Sequence, residues 1–262
     1  MIRPIAIYLP QFHPIPENDE WWGKGFTEWT NVVKAKPLFK GHEQPKFPGE
    51  LGFYDLRVAE VREQQAELAR KHGIEGFMYW HYWFAGKRIL ERPFQEVLES
   101  GKPDFPFCLG WANETWKGTW HGLSENKALI EQTYPGIEDH QKHFYAVLSA
   151  FQDKRYITVE GKPIFLIYRP FEIPEVGLLI QLWRELAVKN ELKGIYFIGI
   201  AQGVRSHKNL IDDGFDGLAL SDLKGSIPFI YSHNNINTFF LQDKEKVKQV
   251  RYLMEIYSEW CF

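Results

Sequence analysis

Residues 55–83, DLRVAEVREQQAELARKHGIEGFMYWHYW, hold a helix and the strand that follows it, and the change of period between them decides the fold class. Val58, Val61, Gln65, Leu68 and His72 recur at helical spacing, with Asp55 placed to cap the helix at its start and Gly73 at its end. From Ile74 the helical period stops. IEGFMYWHYW (74–83) is almost continuously apolar and aromatic, the pattern of a strand covered on both faces in a parallel sheet.

The same unit recurs on both sides. PIAIYLP (4–10), FPFCLGWANE (105–114), PIFLIYR (163–169), IYFIGIA (195–201) and FDGLALSD (215–222) read as further strands. Between them lie a helix from about Pro93 to Ser100, a helical face of Phe144, Val147, Leu148 and Phe151, and another of Leu178, Leu179, Leu182, Trp183 and Leu186 behind Pro174. Strands alternating with helices predict an α/β protein of the (β/α)8 barrel type. An open doubly wound sheet reads similarly, but no glycine-rich phosphate fingerprint follows any strand. About six of the eight units of such a barrel are recognisable. The last helical pattern, Val247, Val250, Met254 and Tyr257, runs into Trp260-Cys261-Phe262 without a cap. Residues 1–262 therefore read as a single barrel domain cut short at its carboxyl end. Such a sheet is expected to expose its edges and to self-associate through them.

Composition narrows the function. Acidic and basic residues are interspersed around a net charge of −3, so no broad field attracts nucleic acid or an anionic membrane. Cys108 and Cys261 form neither a disulfide framework nor a metal cluster, and neither a cofactor nor a metal is called for. The start of the chain shows no secretory pattern and no run approaches a membrane-spanning length, which predicts a cytoplasmic protein. Aromatic residues make up 16% of the chain, including 10 Trp and 12 Tyr. Such amphipathic rings favour half-buried positions, where a flat face beside polar groups suits a pyranose ring, or else they build an unusually tryptophan-rich core.

In a parallel barrel the chemistry sits where strands end. Those positions carry Tyr8 and His13, Trp80 and His81, Trp111, Asn113, Glu114 and Trp116, Tyr168 and Arg169, Gln202, and Asp222. Glu114, walled by Trp111 and Trp116, is the candidate catalytic residue, because partial desolvation would raise its pKa towards general-acid use; the alternative is a glutamate that only hydrogen-bonds sugar hydroxyls or caps a loop. Glu28 in WWGKGFTEW (21–29) and Asp222 are further carboxylates, and glycoside chemistry commonly uses two. Tyr8, His13, Trp22, Glu28, Trp29, His81, Trp111, Asn113, Trp116, Gln202 and Asp222 are the candidate substrate-binding set. His13 and His81 also fit satisfied structural histidines, Arg169 an internal salt bridge, and the Trp21, Trp22 and Trp29 cluster a small core under the first long excursion.

The blocks IAIYLPQFHPIPENDEWWGKGFTEWTNV (5–32), ELGFYDLR (50–57), GIEGFMYWHYWFAGKRILERP (73–93) and FPFCLGWANETWKGTWHG (105–122) resemble the WbsX-like family. That family is labelled a glycosyltransferase of lipopolysaccharide O-antigen clusters and is related to glycoside hydrolase family 99. The resemblance implies a (β/α)8 barrel, a glycan substrate and a place in bacterial surface-polysaccharide assembly. It also implies a WDN-type and then an NEWxEG-type segment near the end of full-length members, the latter carrying two catalytic glutamates in the related hydrolases. Neither segment occurs in residues 1–262, and Ser258-Glu259-Trp260 is only a fragmentary echo. Two functional readings follow: an enzyme that makes or breaks a glycosidic bond, and a catalytically incomplete remnant that binds sugar. A DxD triplet, the mark of many nucleotide-sugar transferases, is absent, so transferase and hydrolase both stay open.

Overall fold

The computed structural model describes residues 3–118, 128–201, 207–220 and 230–232. In chain order these form β1 (Ile5–Tyr8), α1 (Pro16–Trp22), α2 (Glu28–Lys34), α3 (Ala59–Lys71), β2 (Gly76–His81), β3 (Trp83–Phe84), β4 (Lys87–Arg88), α4 (Arg92–Ser100), β5 (Phe107–Trp111), β6 (Trp116–Lys117) and β7 (Ala128–Ile130). They continue with α5 (Ile137–Phe151), β8 (Thr158–Val159), β9 (Lys162–Ile167), α6 (Val176–Lys189), β10 (Tyr196–Ala201), α7 (His207–Asp212), β11 (Gly217–Leu220) and β12 (Ile230–Ser232).

All six expected strands are present, paired in parallel in the order β1-β2-β5-β9-β10-β11. The sheet curls into a half-barrel with its helices packed on the outer face. Each crossover helix presents an apolar stripe to the sheet. On α5 that stripe is Phe144, Val147, Ala150 and Phe151, and on α6 it is Leu179, Ile180, Trp183, Leu186 and Ala187. Phe165 of β9 and Trp183 of α6, both fully buried, meet at 4.8 Å between ring centroids, where sheet and helix layers interlock.

Several local expectations are corrected. Asp55 does not cap α3; the helix starts at Ala59 behind Val58, while Asp55 accepts the backbone N–H of Arg57 and pairs with its guanidinium at 2.7 Å. Gly73 lies just past the helix with φ +77°, the left-handed conformation that only glycine adopts freely. The buried stripe of α3 is Arg62, Ala66 and Ala69, and Val58 is exposed. The two alanines suffice there because aromatic residues of β1 and β2, among them Tyr8, Phe77 and Tyr79, fill the space from the sheet side. Leu178 of α6 is exposed as well. The outer edge of β11 is covered by β12, which runs antiparallel to it, whereas β1 is paired on one side only among the described residues. The last helical pattern, around Val247–Tyr257, lies outside the described residues.

Candidate functional site

Two neighbouring groups of side chains build the carboxyl-end rim of the half-barrel. The first lies over β2, β5 and β9. Trp80, half-buried near the end of β2, sets its ring edge-on to Tyr168 just beyond β9, at 5.5 Å. Gly110, its register partner on β5, makes room for this: a Cβ there would stand 3.1 Å from the Trp80 ring and 2.5 Å from Met78 Sδ. The Arg169 guanidinium lies 4.6 Å over the Tyr168 ring and donates to Glu114 Oε1 at 2.6 Å. Asn113 holds this arrangement together. Its side chain is fully buried; Oδ1 accepts the Arg169 backbone N–H at 2.8 Å, and Nδ2 donates to the Arg169 carbonyl at 2.9 Å and to Tyr134 Oη at 2.8 Å. Both amide protons and the amide oxygen are engaged, so Asn113 ties two strand ends together and sets Arg169 against Glu114.

The second group is formed by the loops after β1 and β2. Gln11 Nε2 donates to Tyr82 Oη at 3.3 Å, and Tyr82 packs edge-on against Trp116 at 5.2 Å. Trp116 also meets Trp21 at 6.1 Å and Phe84 at 6.2 Å. Thus Trp21, rather than Trp22, joins the strand-end aromatics. Glu28 begins α2 within electrostatic reach of Tyr82, and burial raises its carboxyl above the ordinary value. The Tyr82 hydroxyl is also raised, mainly by burial.

The remaining candidates are held away from the open rim. Trp111 is 1% exposed, on the helix-facing side of β5, and its indole N–H donates to the Trp83 carbonyl at 3.2 Å. No ring face is left for a sugar. His81 is buried on the same side, its Nε2 2.8 Å from His143 Nε2, so one imidazole donates and the other accepts. His143 stacks on Trp83 at 4.8 Å and 3°, and Trp83 in turn donates to Asp139 Oδ2 at 3.0 Å. Burial, followed by the field of Arg88, holds His81 down to about 3, and burial puts His143 well below its ordinary range. Tyr8 is buried towards α3, donating to Gln65 Oε1 at 2.6 Å. His13 is closed off from solvent, and burial lowers it to about 4 despite the opposing field of Asp55. Trp29 donates to the Tyr54 carbonyl at 2.8 Å and packs on Phe12, Phe53 and Tyr54, a small core under the first excursion; Trp22 lies 6.0 Å from Phe26. Gln202 and Asp222 lie outside the described residues. Among the described residues no group of three or more His, Cys, Asp or Glu is placed to hold a metal ion, and no helix is long and apolar enough to cross a membrane.

Gln11 and Tyr82 stand at the strand ends read from the sequence, which assigned them no role; missed outright were Tyr134, which enters through a loop, and His143, which arrives on α5 from 62 residues beyond His81. The available signal for His143 was its place on the apolar face of α5, one residue before Phe144.

The family model for glycosyltransferase WbsX aligns with residues 4–260. The chain belongs to the WbsX glycosyltransferase family. Within reach of that WbsX assignment is a Xanthomonas campestris pv. campestris protein described as uncharacterized protein WxcX. It is 42% identical over 213 residues, covering 81% of this chain and 30% of WxcX in each of two strains. The chain thus spans about 30% of the length of the curated relatives it matches. In structure it is similar to the GH99 endo-alpha-mannosidase from Bacteroides thetaiotaomicron, at 16% identity and a TM-score of 0.51, over 82% of this chain and 60% of that one. The same enzyme in complex with BIS-TRIS-propane gives a TM-score of 0.50 over 58% of its chain. At that identity the likeness establishes a shared barrel architecture.

Proposed function

We propose that this chain is the sugar-holding part of a carbohydrate-active enzyme that makes or breaks a glycosidic bond in bacterial surface-polysaccharide metabolism. Residues 1–262 would act as one glycan-active unit in the cytoplasm. The observation that carries this reading is the open rim on which the Trp80–Tyr168 ring pair stands beside the Glu114–Arg169 ion pair. A half-buried indole offers an apolar face to the C–H side of a pyranose, while the carboxylate and guanidinium take its hydroxyls.

Two carboxyl groups in unlike surroundings fit division of labour in glycoside chemistry. Glu114, which accepts a hydrogen bond from the Arg169 guanidinium, is placed to orient a sugar or attack it. Glu28, whose carboxyl burial raises above its ordinary value, is the better placed of the two to donate a proton. The family name favours a transferase and the barrel relationship favours a hydrolase or transglycosylase. Self-association is expected at the side of β1 that no described strand covers.

The test is saturation-transfer NMR of the chain against a panel of methyl glycosides and disaccharides, with turnover followed on any binder. The proposal expects Trp80→Ala to abolish saturation transfer, and Glu114→Gln to lower turnover at least about a hundredfold while leaving binding within a few-fold. A panel without a single binder, or a binder indifferent to Trp80→Ala, would overturn it.

A further inference from the structure

Between α2 and α3 the chain runs from residue 35 to 58 with neither helix nor strand, held by a few turn hydrogen bonds such as His42 N–H to the Phe39 carbonyl and Gly52 N–H to the Gly49 carbonyl. Its composition is unlike that of an ordinary polar loop. Leu38 is 84% exposed, Phe47 69% and Phe39 65%, with Val33 and Phe53 also more than half exposed. Of the large hydrophobic side chains that the described residues expose, half fall between Val33 and Val58. Interleaved with them are the exposed Lys34, Lys36, Lys40 and Lys46; against Glu43 and Glu50 these give residues 33–53 a net charge of +2, while the whole chain carries −3.

One end of this patch is anchored. Phe47 meets Phe53 at 5.9 Å, Phe53 meets Trp29 at 5.3 Å, and Trp29 meets Phe12 at 4.6 Å, which packs on the main core. A line of rings therefore runs from the interior to the surface and ends in open solvent. Exposed apolar groups of this kind mark an interaction surface. The chemistry then selects the partner. Aliphatic Leu38 and Val33 offer nothing to sugar hydroxyls, and a protein interface core is depleted in lysine. Bulky apolar side chains alternating with lysines fit the boundary of an anionic lipid leaflet, where rings and leucines enter the acyl region and ammonium groups meet the headgroups. The summed field of the chain is too weak to draw it to a membrane; a local patch does not depend on that field.

We propose that the segment 33–53, the end of α2 and the loop after it, is a peripheral docking surface for an anionic phospholipid bilayer. The inference stands apart from the glycan reading, since it uses none of the rim residues. The test is co-sedimentation of the full chain with phosphatidylglycerol vesicles and, separately, with phosphatidylcholine vesicles. The expected result is binding to phosphatidylglycerol that weakens as salt is raised. Phe39→Ser with Phe47→Ser should weaken it by about a hundredfold, and Lys36→Glu with Lys40→Glu by about tenfold on phosphatidylglycerol alone. Leu38→Ser, at a side chain too exposed to support the fold, serves as the variant whose thermal melting stays that of the parent and should cost about tenfold. Equal pelleting with and without vesicles would overturn the proposal, as would binding that none of these variants weakens. A discrete dimer in light scattering that Leu38→Ser dissolves would assign the patch to a second copy of the chain instead.

Discussion

The two faces of the sheet at its carboxyl edge carry the same kinds of residue and do opposite things. Trp80 and His81 are adjacent in β2, yet Trp80 stands on the concave side against Tyr168, and His81 is sealed behind the sheet against His143. Glu114 reaches an arginine on the half-exposed rim, and Asp139 accepts a buried indole N–H from Trp83. On the outer side every aromatic ring near the histidines is enclosed, with Trp83, Trp111, Phe165 and Trp183 all within 6.0 Å of the His143 ring. The difference teaches that arrival at a strand end does not place a residue in a barrel's site; the parity of the residue along the strand does.

Acid should separate the two faces most sharply. His81 and His143 stay neutral in the folded chain because burial disfavours their charged forms, with His81 held to about 3. In the unfolded chain each titrates near its ordinary value of about 6.5. Above that pH neither state binds the proton and the pair is indifferent to pH. Below it the unfolded chain takes up protons that the folded chain refuses, so stability falls as pH drops from about 6.5 towards about 3. Each histidine contributes about 1.4 kcal/mol per pH unit once its unfolded form is charged. The double variant His81→Leu/His143→Leu, which replaces both hydrogen-bonding partners with apolar groups, should flatten the fall by about 2.7 kcal/mol per unit. Urea unfolding between pH 7 and pH 5 measures this. An unchanged slope would mean that the pair is not neutral in the native state.

Next in size is the contrast between two tryptophans. Trp111→Ala empties a fully enclosed site among His143, Tyr134 and Trp83 and should cost about 3–5 kcal/mol. Trp80→Ala removes a ring that is only partly buried, so a smaller loss is expected. Urea midpoints of the two variants give the comparison directly. Equal losses would show that Trp80 is as much a core residue as Trp111, and the open rim would lose its aromatic face.

This parity was the part of the site that sequence could not supply. All six parallel strands were legible because each is a short apolar run between helix-length amphipathic segments, and the stripes of α5 and α6 stood out for the same reason. But YWHYWF (79–84) is aromatic at both parities, so alternation, the usual guide to which side chain faces which layer, carries no signal there. Trp111 and His81 were therefore read as site residues with Trp80 beside them. The stretch Trp111-Ala112-Asn113-Glu114 shows the same limit from the other side. An asparagine before a candidate catalytic glutamate reads as a sugar ligand, yet Asn113 spends its amide on the backbone of Arg169 and on Tyr134, groups 56 and 21 residues away. Long-range hydrogen bonding of that kind has no local pattern. Arg169, by contrast, was read as a candidate for an internal salt bridge and forms one. The two-stranded pieces β3–β4 and β6–β7 are too short to show any period.

The smallest expected effect bears most directly on function. The Glu114–Arg169 contact is short at 2.6 Å, but the side chains are 36% and 26% exposed, so solvent screens the pair. An ion pair in that setting contributes at most about 1 kcal/mol. Glu114→Gln keeps the shape and one acceptor oxygen, and should leave thermal unfolding almost unchanged, with under about 1 kcal/mol lost. Asn113 would go on holding the Arg169 backbone in place, because its bonds do not pass through the carboxylate. A carboxylate whose removal the fold scarcely notices, standing beside a half-buried ring pair, is one whose presence folding does not explain. Should Glu114→Gln instead unfold the chain by several kcal/mol in a calorimeter, the rim would be a structural seam like the face behind it, and the contrast between the two faces would collapse.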